Sequence, residues 1–273
     1  KKVNLKAVEI TKKCFTITLI YLVIGVIYLA VNGFNLGIDF RSGSDVTIKA
    51  DKITVSDVKK DFKKLKYDVV SVEKQENDEI YVRLNTELKE NGINKVNNYF
   101  EDKYNAKTEI NVVTDIVKQD LVKNAFYSVV IAAIAIIIYI SFRFKFSYAI
   151  SSITTLLHDV LLVMALFSIF KIEVNVIFIA AILTVIGYSI NNTIVVFDRI
   201  RENQGKYKGK LTRESLKKIV NDSVSDTITR SLYTTITTLI PVVCLIILGS
   251  KGILPFNIAI IIGLVAGFYS SSF

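Results

Sequence analysis

The sequence holds little of the chemistry that most enzymes and metalloproteins need. Only two cysteines occur, Cys14 and Cys244, both within or beside long apolar runs and far apart in the chain. They suggest neither a disulfide nor a metal site, and read best as small apolar filler. There is a single histidine, His158, and it too lies in an apolar run. The polar stretch 33–123 has no histidine, no cysteine and no glycine-rich phosphate loop. Nothing in it points to catalysis, so the chain reads as a non-enzyme with no cofactor and no metal. A concentrated basic soluble face is also missing, which removes the ground for a nucleic-acid partner. No small-residue cleavage site follows the first apolar run, so that run is expected to stay as a span and not to leave as a signal peptide. The chain opens on Lys1 and not Met, so its true start is expected to lie further upstream.

What the sequence does have is hydrocarbon. Apolar residues make up 51% of it, and the mean hydropathy is +0.44. Six runs are near the length that crosses about 30 Å of lipid: 15–31, 125–142, 148–170, 174–197, 231–248 and 256–273. The fold class expected is an α-helical polytopic membrane protein with six transmembrane helices. One α+β domain is expected outside the cytoplasm, between helices 1 and 2. The division read from the sequence is 1–13 (N-terminal lead-in), 14–32 (helix 1), 33–123 (outer domain) and 124–273 (helices 2–6), with an amphipathic segment at 198–225.

Charge sets the expected sidedness. Residues 1–13 hold five lysines against one glutamate, and residues 198–218 hold eight basic against three acidic residues. Arg143 and Lys145 mark the connection after the second span. By the positive-inside rule, both termini and the even-numbered connections are cytoplasmic, and 33–123 faces outward. In the lead-in, Val3, Leu5, Val8 and Ile10 suit a segment lying along the lipid surface. In 198–225, Leu216, Ile219, Val220 and Val224 recur at helical spacing, which predicts a surface helix there.

The outer stretch has its own patterning. Residues 45–50 alternate as a strand, and Thr54 or Ser56 can cap a helix carrying Val58, Phe62 and Leu65. Residues 69–72 form a second strand and E-N-D-E a turn, and Ile80, Val82 and Leu84 alternate in a third strand. Leu88, Ile93, Val96 and Phe100 mark another helix, and 108–113 a last strand. The order βαββαβ is that of a ferredoxin-like unit. With 16 basic and 17 acidic residues in 33–123, the unit is close to neutral, which suits a binding or moving part.

Several polar residues interrupt the spans, where no lipid atom can satisfy them. The third span carries His158 and Asp159 near its middle, and Ser151, Thr155 and Asp159 repeat at i, i+4, i+8. An aspartate at that depth costs on the order of 3 kcal/mol on insertion scales, so it should face the bundle interior with a partner. His158 is expected as a neutral imidazole bonded to a neighbouring hydroxyl. Asn191 and Asn192 close the fourth span, and either bond to neighbouring helices or form part of a functional site. In the fifth, Thr227, Arg230, Thr234 and Thr238 share a face. Arg230 either snorkels or pairs with Asp226, or takes part in a polar relay at the depth of Asn192. Gly263 and Gly267 give the last span a small-residue face for close helix contact.

Residues 187–203 read G-Y-S-I-N-N-T-I-V-V-F-D-R-I-R-E-N. This closely resembles the G-Y-S-L-N-D-T-V-V-V-F-D-R-I-R-E-N signature of the SecF family, with Gly187, Tyr188, Asp198 and Arg199 in place and Asn192 where the family has aspartate. The stretch N-L-G-I-D-F-R-S-G-S at 35–44 resembles the family's G-I-D-F-T-G-G-T, matching at Gly37, Asp39 and Phe40. Arg41 and Ser42 replace its threonine and first glycine. The His158–Asp159 pair and S-D-T-I-T-R-S-L-Y-T-T-I-T-T-L resemble the family as well. The resemblance implies a six-span module of the resistance-nodulation-division type in the bacterial plasma membrane. Its implied partners are SecD, the SecYEG channel, the exported unfolded polypeptide and protons. The implied role is to couple the proton gradient to late steps of translocation. Two alternatives remain at this point: a non-transporting scaffold subunit, which Asn192 favours, and half of a small-molecule or lipid transporter of the same superfamily.

Overall fold

The structure, a computed structural model, describes residues 7–50, 53–74, 79–144, 146–249 and 251–272. The chain divides into two compact units, one formed by 36–126 and the other by 1–35 with 127–273. The lead-in residues Val3 and Leu5 and most of the E-N-D-E turn lie outside the described residues.

Among the described residues, six helices are long and apolar enough to cross a membrane. They are α1 (Ala7–Asn32), α4 (Asp115–Arg143), α5 (Phe146–Ile169), α6 (Val176–Lys206), α7 (Arg213–Leu248) and α8 (Leu254–Ser272). At 1.5 Å per residue, even the shortest approaches the thickness of the hydrocarbon layer. Asn175 starts α6 by accepting the Phe178 N–H at 3.0 Å. Thr212 and Ser215 start α7 with a reciprocal capping box.

Two boundaries differ from the sequence reading. Val8 and Ile10 lie in the first turn of α1, which extends the span without a break. The 198–225 segment is not a separate helix: its first residues finish α6, its last begin α7, and only 207–212 lie outside both. A change from apolar to charged side chains marks where a helix leaves hydrocarbon, but the backbone hydrogen bonds continue regardless.

Helices α5, α6 and α8 supply most of the buried surface of this unit, and α6 packs most extensively on α8. Small residues set that approach. A Cβ on Gly263 would land inside the Val185 side chain, and one on Gly267 would lie 3.3 Å from Ser189. The two helices run side by side in the same direction, with contact at matching turns.

Residues 36–126 hold a four-stranded antiparallel sheet. Its strands are β1 (Gly43–Lys49), β2 (Val69–Lys74), β3 (Glu79–Leu84) and β4 (Lys107–Val113), in the order β2-β3-β1-β4. Helices α2 (Val55–Lys64) and α3 (Glu90–Tyr104) complete the βαββαβ order. Register pairs Val46 with Val82 and Ile48 with Ile80, so one face presents a continuous apolar row. Val58 and Phe62 of α2 and Val96 and Phe100 of α3 are fully buried against it. Thr54, one of the two candidate caps, accepts the Asp57 N–H at 3.2 Å and so starts α2. In the 35–44 loop, Ser42 adopts φ 64° and Gly43 φ 126°. Both residues of the turn thus take positive φ although the first is serine, and the Ser42 hydroxyl donates to Asp115 Oδ1 at 3.0 Å.

Candidate functional site

Among the described residues of the helical unit, Asp159 of α5 is the carboxylate with no exposed surface. Its partners come from three helices. On its own, His158 Nδ1 lies 2.7 Å from Oδ1. From α6, the Ser189 hydroxyl donates to Oδ2 at 2.5 Å, and from α8 the Ser270 hydroxyl reaches the same oxygen at 3.0 Å. The second ring nitrogen of His158 is hydrogen-bonded to the Tyr21 hydroxyl of α1. A charge buried in a low-dielectric interior is tolerable only when its lone pairs are taken up, and here every partner is supplied by the chain itself. The expected neighbouring hydroxyl of His158 is that of Tyr21, and the Asp159 carboxylate is its second partner.

The expected stripe of Ser151, Thr155 and Asp159 does not act as a unit. Thr155 donates to the Ser151 carbonyl at 2.9 Å, and Ser151 is exposed while Asp159 is buried. The face that buries Asp159 also carries Ser152, Leu156 and Val163.

The adjacent asparagines separate, because successive helix residues point about 100° apart. Asn191 is exposed and Asn192 is 2% exposed. The Asn192 Nδ2 is fully buried and has no hydrogen-bond partner among the described residues.

The antiparallel register of α6 and α7 is fixed at two levels. The Tyr188 hydroxyl donates to the Thr234 carbonyl at 2.6 Å and lies 2.9 Å from Thr238 Oγ1. Arg199 holds Asp226 at 2.6 Å. Asn192 and Arg230 fall between these two levels, at similar depth. Asp226 is thus engaged by Arg199, and Arg230 is exposed on α7, its guanidinium unpaired among the described residues. Thr234 Oγ1 turns back onto its own helix, to the Arg230 carbonyl at 3.1 Å.

The charged end of the 187–203 signature is a network. Arg199 also reaches Glu202 at 2.8 Å, and Asp198 meets Arg143 at 3.3 Å and Arg201 at 3.2 Å. Arg143 and Arg201 both lie over the Phe144 ring, which ties the α4–α5 turn to the end of α6. Gly187 has open space where a Cβ would stand. In the 35–44 motif, Gly37 precedes the single turn Ile38–Arg41, which contains Asp39 and Phe40. Among the described residues, no three His, Cys, Asp or Glu side chains converge as a metal site would require.

Sequence reasoning did not single out Ser189, Ser270, Tyr21 or Tyr269 as parts of this site. The His158 ring sits between the two tyrosines, with centroids at 5.9 Å and 6.1 Å.

Comparison with known proteins places these features in one family. Residues 93–273 match the family model described as protein export membrane protein SecD/SecF, C-terminal, and residues 27–52 match the SecD/SecF GG motif. The SecF subunit of Sebaldella termitidis is 34% identical over 98% of this chain and 88% of its own length. The SecDF subunit of Bacillus subtilis is 46% identical over 91% of this chain, which corresponds to 34% of that longer protein. The crystal structure of SecDF, a translocon-associated membrane protein from Thermus thermophilus, superposes with a TM-score of 0.87 at 29% identity, over 99% of this chain and 37% of that one. A six-span bundle, the GG-motif loop and the 187–203 signature thus meet in one chain, which belongs to the SecD/SecF family of protein export membrane proteins, on its SecF side, as a multi-pass membrane subunit of the Sec pathway.

Proposed function

We propose that this chain works with a SecD subunit in the bacterial plasma membrane and converts the proton gradient into late movement of an exported polypeptide through the SecYEG channel. The observation that carries the proton part is Asp159. It is a wholly buried carboxylate in the middle of a span, bound to the chain's one histidine and to hydroxyls of α6 and α8. Intramembrane ionisable residues are expensive to retain, and proton relays are among the functions that retain them. Protonation of the His158–Asp159 pair changes which partners it can hold, and those partners lie on different helices.

Arg230 supplies the second element of the reading. It is exposed on α7 at the depth of Asn192, and its charge is permanent. A guanidinium facing a partner subunit at that depth calls for a carboxylate on the partner, and SecD is where we place it. Asn192 cannot titrate. Within this chain the proton-binding role therefore falls to the His158–Asp159 pair. The charge pattern supports the reading that both termini and the 198–225 connection are cytoplasmic and that residues 33–123 face outward.

The test is gradient-driven export in vesicles containing the assembled complex. Arg230→Met is expected to abolish the gradient-dependent component while the complex stays assembled, and Asp159→Asn to weaken it less. If both variants export at the parental rate, the chain is a scaffold and the proton path runs elsewhere.

A further inference from the structure

A lateral groove of about 390 Å³ is lined by α1, α5 and α8, a volume within the range of small-molecule sites. Its apolar wall is Phe15, Leu19 and Leu22 of α1 with Leu157 and Leu161 of α5. Phe15, Leu19 and Leu157 are each more than half exposed, so the groove is open to whatever surrounds the bundle.

The polar side chains in the lining are already satisfied. Thr154 and Thr155 donate back to the Ile150 and Ser151 carbonyls of their own helix, at 3.1 and 2.9 Å. Thr18 Oγ1 lies 3.0 Å from the Tyr269 hydroxyl, which donates to the Cys14 carbonyl at 3.2 Å. Ser270 donates to Asp159, and the two ring nitrogens of His158 are engaged by Asp159 and Tyr21. A polar ligand entering here would find no unspent donor stronger than the Cys14 thiol to replace its hydration. Hydrocarbon would lose nothing on entry.

Depth and length fit the same occupant. From Cys14 to Leu22 the groove follows α1 for about 12 Å at 1.5 Å per residue. The hydrocarbon of one leaflet is about 15 Å deep, half of the 30 Å core. Cys14 stands where the lysine-rich lead-in of α1 gives way to its apolar run, and His158 near the middle of the apolar run of α5. The groove thus reaches from the lipid–water boundary toward the bilayer centre. Just outside it comes Lys13, exposed and without an ion pair among the described residues. A lysine at that level extends its ammonium into the headgroup layer.

We propose that this groove is a phospholipid site, in which one acyl chain lies along α1 from Cys14 toward His158 and an anionic headgroup is held at Lys13. The chain then rests on His158 and Ser270, two partners of Asp159, and keeps water from that side of the buried carboxylate. The site depends only on the protein crossing a bilayer, so its failure would leave the export reading untouched.

The test uses the complex with SecD in nanodiscs that contain a trace of phospholipid with a diazirine midway along one acyl chain. The headgroup is phosphatidylglycerol in one preparation and phosphatidylcholine in the other. After irradiation, peptide mass spectrometry is expected to find label on 14–22 and 154–161 in excess over the exposed α4 residues Ile131, Ile138 and Phe142. The anionic lipid should label the groove about fivefold more than the zwitterionic one, the factor given by about 1 kcal/mol per lysine near the surface. Lys13→Gln should remove that preference. Leu19→Trp combined with Leu157→Trp, both at exposed positions, should fill the groove and bring its labelling down to the α4 level. Equal labelling of groove and α4 in the parent would mean ordinary boundary lipid and overturn the site. A groove labelled in the chain alone but unlabelled in the complex would overturn it too, by giving the surface to SecD. A preference that survives Lys13→Gln would overturn the placement of the headgroup.

Discussion

Ser189 of α6 and Asp159 of α5 are joined by a 2.5 Å hydrogen bond between residues 30 positions apart in the chain. With Ser270 on the same oxygen, the carboxylate draws three helices onto one point. Ser189→Ala and Ser270→Ala each remove a donor without adding bulk. Each is expected to cost about 0.6–2 kcal/mol, as interhelical hydrogen bonds in membranes do. In the Asp159→Asn background, the cost of Ser189→Ala should shrink, because the acceptor has lost its charge. Unfolding of the single and double variants in detergent checks this. Full additivity would mean that the serines act on something other than Asp159.

The glycines of α6 and α8 should behave oppositely. A Cβ on Gly263 collides with Val185, whereas one on Gly187 meets nothing within 4 Å. Gly263→Ala is expected to destabilise the bundle by about 1–3 kcal/mol, the usual range for overpacking. Adding Val185→Ala should recover much of that loss by making room. Gly187→Ala is expected to leave the isolated chain unchanged or slightly more stable, since alanine is the better helix former. If Gly187→Ala nevertheless blocks assembly with SecD, the signature glycine serves the partner and not this fold.

For the outer unit, the expectation is independent folding of a fragment covering 36–126. Its apolar core closes on itself around Phe62 and Phe100, whose rings lie 5.2 Å apart. Phe62→Ala should remove about 3–5 kcal/mol and leave the fragment largely unfolded by circular dichroism. Asp61 gives the fragment an acid-sensitive link between α2 and α3. Burial pushes its carboxyl up, but hydrogen bonds from Lys103, Tyr104 and Tyr99 outweigh burial and hold it below the ordinary carboxylate range. A folded-state value below the unfolded one stabilises fully above the unfolded value of about 3.9, and that stability is lost as pH falls through the folded value. Asp61→Asn should therefore be less stable at neutral pH and flatten the acid limb of the denaturation curve. An unaltered acid limb would show that other carboxylates govern it.

Much of this architecture was legible from spacing alone. The Val58–Phe62 face of α2, the alternation in β1 and β3 and the six apolar runs each follow from a local period that packing did not override. The need of Asp159 for partners was legible too. Their identity was not, because serines within a span commonly satisfy themselves. Ser152, for example, bonds back to the Tyr148 carbonyl at 2.9 Å, and no local signal separates it from Ser189 or Ser270, which reach across to another helix. The assignment of Asp226 was hidden for a similar reason. Sequence offers Arg230 one turn away, but the antiparallel register of α6 and α7 delivers Arg199 to Asp226. Register between helices is set by their contact surfaces, which no single segment carries.

The last prediction returns to the position where this chain departs from its family's signature. Asn192 is 2% exposed, and its amide nitrogen is buried without a partner among the described residues. An aspartate there would be nearly isosteric, so Asn192→Asp should fold and assemble. An aspartate there gives this position a titratable group that the chain now lacks. Gradient-driven export should persist, and its pH profile should gain a limb absent from the parent. The decisive comparison is with Asn192→Asp combined with Arg230→Met. If the guanidinium serves position 192, its removal should abolish or displace the added limb. The measurement is export rate across pH at constant gradient in vesicles holding the assembled complex. A profile identical to the parent's in the single variant would place position 192 outside the proton path and leave the His158–Asp159 pair as this subunit's whole contribution.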